Sequence, residues 1–152
     1  MDVYKTPKAD LSATGEKQFK PVRAVLFGLG ISIILASAIS TIYGIVLALA
    51  LGLDFSNQEA FESELTNNLL FQIGDVVISG LILYFAGRVV GKRTPGKEVK
   101  YGIIVSTITF AIYLPLFFAT DTFSVWPLWY NLLGIFVIFF AIILGAKSYA
   151  TS

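Results

Sequence analysis

Four long apolar runs constrain this chain more than any other feature: Ala24–Leu53, Leu69–Val90, Tyr101–Ala119 and Leu128–Ala146. A bilayer core is about 30 Å thick, so a helix rising about 1.5 Å per residue needs roughly 20 apolar residues to cross it. Each run meets that length. Charged residues make up only 14% of the sequence and apolar residues 56%, so the charges cluster between the runs. A soluble domain normally carries about a quarter charged residues. A soluble bundle of four such helices would have almost no polar face to offer water. The expected fold is therefore an all-α membrane protein, a four-transmembrane-helix bundle with spans over about 22–53, 67–91, 99–119 and 126–147. One domain over 22–151 would follow a mobile arm over 1–21.

Charge placement sets the expected direction of crossing. All eleven Lys and Arg residues fall on one side: Lys5, Lys8, Lys17, Lys20 and Arg23 in the arm, Arg88, Lys92, Arg93, Lys97 and Lys100 around the second connection, and Lys147 in the tail. The other two connections hold none, so the positive-inside rule puts both termini in the cytoplasm. Trp126, Trp129 and Tyr130 fit an aromatic belt at the outer interface. Arg88, one turn from the end of its run, can snorkel to the headgroups. Ala36-Ser37-Ala38 has the small-x-small pattern of a signal-peptide cleavage site, but the apolar run continues past it. An uncleaved first helix is expected.

Tyr4, Pro7, Ala9 and Leu11 make a Y-x-x-P-x-A-x-L pattern. It resembles a short N-terminal segment found on several small proteobacterial inner-membrane proteins of unknown function. The commoner form of that segment has Asn-Pro before the Tyr, where Asp2 and Val3 stand here. The resemblance covers about eleven residues and implies a bacterial inner-membrane setting, with no activity attached.

Within the spans, two patterns stand out. Gly28, Ser32, Ala36, Ser40, Gly44, Ala48 and Gly52 recur every four residues in the first run. Small residues at this spacing let helix backbones approach closely in lipid. The stripe suits packing against helices of the same chain, or a homodimer seam. At 3.6 residues per turn it drifts by about 40° per step. No single partner is expected to use all of it; the central four suit one crossing, with the ends facing other neighbours.

The second pattern is Asn68, Gln72, Asp75 and Ser79, spaced 4, 3 and 4 on one face of the second span. Asp75 lies six residues past Leu69, roughly 9 Å below the edge of the apolar zone. It is the one formal charge well inside a span. A carboxylate in hydrocarbon costs a few kcal/mol, so it must face protein or water or carry a proton, which marks a candidate site. It could instead be structural, hydrogen-bonded to a Tyr or Thr hydroxyl of another helix. Asn131 is the one amide in the fourth span, near the same level. Ahead of the second span, Asp54 to Asn68 is acidic; it could concentrate cations or simply keep the loop soluble. Ser56-Asn57-Gln58-Glu59 reads as a capping box for a short helix there, one that could run on into the second span. Thr94-Pro95-Gly96 reads as a turn, and Pro115 should bend the third span.

With no Cys and no His, thiolate chemistry, disulfides and the usual zinc sites are excluded. No cofactor, metal or nucleic-acid partner is expected. The basic connection lacks the G-x-x-x-x-G-K-S/T loop that cradles nucleotide phosphates. Gly74-Asp75 resembles part of the G-x-G-D motif of intramembrane aspartyl proteases, but Gln72 replaces the first Gly and no second membrane aspartate is present. In size the chain resembles small four-helix multidrug exporters, which place a Glu in the first span; none stands here. The expectation is a non-enzymatic accessory or scaffold subunit, packed in the bilayer against a larger membrane complex or itself. The alternative is a small homo-oligomeric proton- or cation-coupled carrier or channel using Asp75.

Overall fold

A computed structural model describes residues 19–53, 56, 58–119 and 125–150. The Y-x-x-P-x-A-x-L segment and Asn57 of the capping box lie outside them. The described residues are helical with no strand. Helix α1 runs Pro21–Leu51, α2 Gln58–Thr66, α3 Leu69–Arg93, α4 Glu98–Ala119 and α5 Leu128–Ala150. Three of these are long and apolar enough to cross a membrane: Pro21–Leu51, Leu69–Arg93 and Leu128–Tyr149.

Local chemistry fixes the helix ends. Pro21 opens α1, where its missing N–H costs nothing. Gly52 closes it in the left-handed region, φ 69°, which a glycine adopts without a Cβ clash. The acidic helix α2 does not run on into α3: the chain breaks at Asn67, and Asn68 caps α3 by accepting a hydrogen bond from the Phe71 N–H at 3.1 Å. At the opposite end, Thr94–Lys97 turns the chain into α4 with Gly96 at φ 78°. The Gly96 N–H donates to the Glu98 carboxylate at 2.8 Å.

The bundle buries several polar groups beside an apolar core of Ala24, Leu83, Val90, Val105, Ile138 and Ile142, and its outside is apolar. Ser32, Gln72, Asp75, Ser106, Thr109 and Asn131 are buried, while Leu26, Ile34, Leu49, Leu81, Phe85 and Phe140 are exposed. An apolar surface this extensive is foreign to a water-soluble monomer and fits a membrane protein. Helix α3 is central and packs most extensively on α5. Their seam is made by glycines. A Cβ added at Gly87 would collide with the Ile142 carbonyl, one at Gly145 with the Tyr84 carbonyl, and one at Gly91 would lie 2.8 Å from the Ala146 oxygen. Backbones in this contact allow no side chain between them, the arrangement that favours association in lipid.

Helix α1 is not α-helical throughout. Gly30–Leu35 is a π segment, in which hydrogen bonds reach one residue further along the chain. One extra residue per turn sets the helix back by about 100°. It thereby offsets much of the drift expected of the four-residue stripe. Gly28, Ser32, Ala36, Gly44 and Ala48 are all buried. Gly28 faces Val90 of α3 and Val105 of α4, the Ser32 hydroxyl meets Thr109 of α4 at 2.9 Å, and Gly44 sits on Phe71 of α3. The stripe is thus covered within the chain. Past the π segment α1 rests chiefly on α3.

Candidate functional site

Asp75 sits where α1, α3 and α5 meet. Being six residues into α3, it lies about 9 Å from the start of the helix. It is only 8% exposed. One carboxylate oxygen accepts a hydrogen bond from the Ser40 hydroxyl of α1; the other accepts from the Tyr130 hydroxyl of α5 at 2.5 Å. Two hydroxyls from two other helices therefore replace the water that a buried carboxylate loses, with the charge-assisted geometry that such bonds favour.

The acid also borders a cavity of about 280 Å³. Its polar lining comes from Ser32, Ser37 and Ser40 of α1, Ser79 of α3, Tyr113 of α4 and Asn131 of α5. Between these groups the wall is apolar, with Ala36, Val76, Leu83, Val137 and Ile138. Towards the α2 end lies an aromatic stack. Tyr43 stacks on Phe71 at 5.8 Å between centroids, Phe71 on Trp126 at 5.7 Å, and Trp126 on Tyr130 at 4.9 Å. Gly74 lets Tyr43 lie against α3, where its hydroxyl donates to the Leu70 carbonyl at 2.9 Å. Ser37, exposed on α1, meets the Tyr113 hydroxyl at 3.1 Å and so links α1 to α4 at the edge of the cavity.

The four residues singled out as a polar site separate here. Asp75, Ser79 and Asn131 border the cavity. Gln72 does not: it is buried in the corner between α2 and α3, where its side-chain amide donates to the Thr66 carbonyl at 2.5 Å. Asn131 combines two positions, lining the cavity while its amide donates to the Trp126 carbonyl at 3.1 Å. That bond ties down the irregular Trp126–Pro127 entry to α5. Three residues of the packing stripe, Ser32, Ala36 and Ser40, also line the cavity.

Tyr130 was read from the sequence as part of an interfacial belt. It turns inward and is half-buried, and its ring and hydroxyl complete the acid's surroundings. Its neighbour Asn131, at the level of Asp75, was the available signal. Among the described residues no three of His, Cys, Asp and Glu come together as a metal site would require. The chain matches no family model, no curated protein and no solved structure.

Proposed function

We propose that this chain is a non-enzymatic integral membrane protein of the bacterial inner membrane. Its four long helices cross the bilayer with both termini cytoplasmic, and the Asp75 cavity is its working site, taking up a proton or cation as a small carrier does. The single observation that carries this reading is a buried carboxylate bordering a cavity at the meeting of three helices. A purely structural aspartate needs its two hydroxyl partners but no adjoining space. An intramembrane acid facing a cavity is the arrangement on which proton and cation pathways are built.

The test is cation-driven or gradient-driven proton uptake by the full chain in sealed liposomes. Asp75→Asn keeps the side chain's shape and an acceptor oxygen but removes the charge. Uptake should fall to the level of empty vesicles while the variant keeps its helicity and oligomeric state. Unchanged uptake in Asp75→Asn would sink the reading.

A second reading, an accessory subunit, rests on α1. Beyond the π segment this helix leans chiefly on α3, leaving a flank on which a partner helix could lie. Gentle extraction from the native membrane followed by mass determination tests it. A stoichiometric larger partner favours the subunit, and a discrete homo-oligomer the carrier.

A further inference from the structure

We infer that the Asp75 cavity takes a small organic ammonium ion with an apolar body, rather than a metal ion or a proton alone. The inference rests on the carrier reading above and names the class of cation. Three observations point to it.

The first is volume. An apolar cavity of about 150 Å³ holds a benzene ring. The cavity here measures about 280 Å³, room for a body nearly twice that size. A proton needs no such space.

The second is the wall. A small inorganic cation must have its hydration shell replaced by a full set of oxygens, six to eight for calcium. Here one carboxylate faces a wall made largely of Ala36, Val76, Leu83, Val137 and Ile138. The hydroxyls of Ser40 and Tyr130 meet the acid, but Ser32 pairs with Thr109 and Ser37 with Tyr113, so the oxygens on the wall are spread over separate pairs and not gathered around the carboxylate. An organic ammonium brings its own apolar coat and asks the site for one counter-charge, which Asp75 supplies.

The third is aromatic. Tyr130, with one ring face stacked on Trp126 at 4.9 Å, borders the cavity beside the acid, and Tyr113 borders it from α4. Ring faces attract cations, and quaternary ammonium ions most characteristically.

Calorimetric titration of the full chain in lipid nanodiscs tests this, with benzyltrimethylammonium as probe and benzyldimethylamine N-oxide as its net-neutral counterpart. The cation should bind saturably, about tenfold or more tighter than the N-oxide, as a charge-assisted contact requires. Asp75→Asn should abolish that preference. A second variant leaves the acid and its hydroxyl partners alone. Gly134 borders the cavity, and a Cβ there meets nothing within 4 Å, so Gly134→Leu should fold, fill the space and block binding.

Equal affinity for the two probes would overturn the inference and make the cavity an apolar slot. Undiminished binding in folded Gly134→Leu would overturn it as well. Absent ammonium binding alongside Asp75-dependent proton uptake would overturn this inference and leave the carrier reading standing. Loss of both would remove the two together.

Discussion

At the scale of residues, the unit that matters is Ser40–Asp75–Tyr130, one group from each of three helices. A buried acceptor stripped of a donor costs about 1–3 kcal/mol, whereas removing both partners together can be nearly neutral. Tyr130→Phe should therefore lower thermal stability in detergent by about that amount while Asp75 is present. In an Asp75→Leu background the same change should cost much less, and the difference is the coupling energy of the pair. Equal cost in both backgrounds would show that Tyr130 matters through its ring stacking and not its hydroxyl. Asp75 itself was legible in the sequence, because a lone charge in an apolar run has few innocent explanations. Its partners were not. A serine in a stripe of small residues reads as a packing residue, and a tyrosine beside two tryptophans reads as an interfacial anchor. Both readings describe the residue correctly and miss the direction in which its hydroxyl points.

At the scale of elements, the sequence drew attention to one seam and passed over another. The long four-residue repeat of α1 is more conspicuous than Gly87-x-x-x-Gly91, which adjoins Arg88 and a basic loop and so looks like the end of a span. Yet the closest backbone approach is between α3 and α5, at Gly87, Gly91 and Gly145. Gly87→Ala should force these helices apart and cost several kcal/mol, in line with overpacking of a filled interface. Gly134→Ala, about three turns from Gly145 on nearly the same face of α5 but where an added Cβ meets nothing within 4 Å, should be neutral or stabilising by up to about 1 kcal/mol from helix propensity. Paired unfolding titrations of the two variants check this, and similar values would refute the seam. The π segment of α1 was equally hidden. Nothing in Gly30–Leu35 demands it locally. It arises where the inner and outer parts of one helix must both present small residues to the bundle, a requirement set by tertiary packing. The break between α2 and α3, by contrast, follows from Asn68, whose side chain serves better as a cap than within a helix.

At the scale of the whole molecule, topology is the property that hydropathy and charge specify most directly, since each span needs only length and each connection only its sign. Among the described residues, the structure brings Lys20, Arg93 and Lys97 together at one end of the bundle. The Lys20 N–H donates to the Arg93 carbonyl at 2.9 Å, the Arg93 guanidinium lies over Phe27 at 4.5 Å and the Lys97 ammonium over Phe19 at 5.1 Å. This ties the start of α1 to the turn between α3 and α4 at one end of the bundle. The acidic helix α2 and the aromatic stack lie at the other end. Since the chain has no cysteine, single introduced thiols report sidedness without background. Ser56→Cys, at an exposed position before α2, should react with a membrane-impermeant maleimide added to intact spheroplasts. Lys97→Cys, exposed in the α3–α4 turn, should react only after the membrane is opened. The reverse pattern would invert the protein and put the Asp75 cavity nearer the cytoplasmic face. Labelling of both from outside in equal measure would mean dual insertion. In that case the eleven-to-none distribution of Lys and Arg would not be what orients the chain, and the carrier reading would need a dimer of opposed copies.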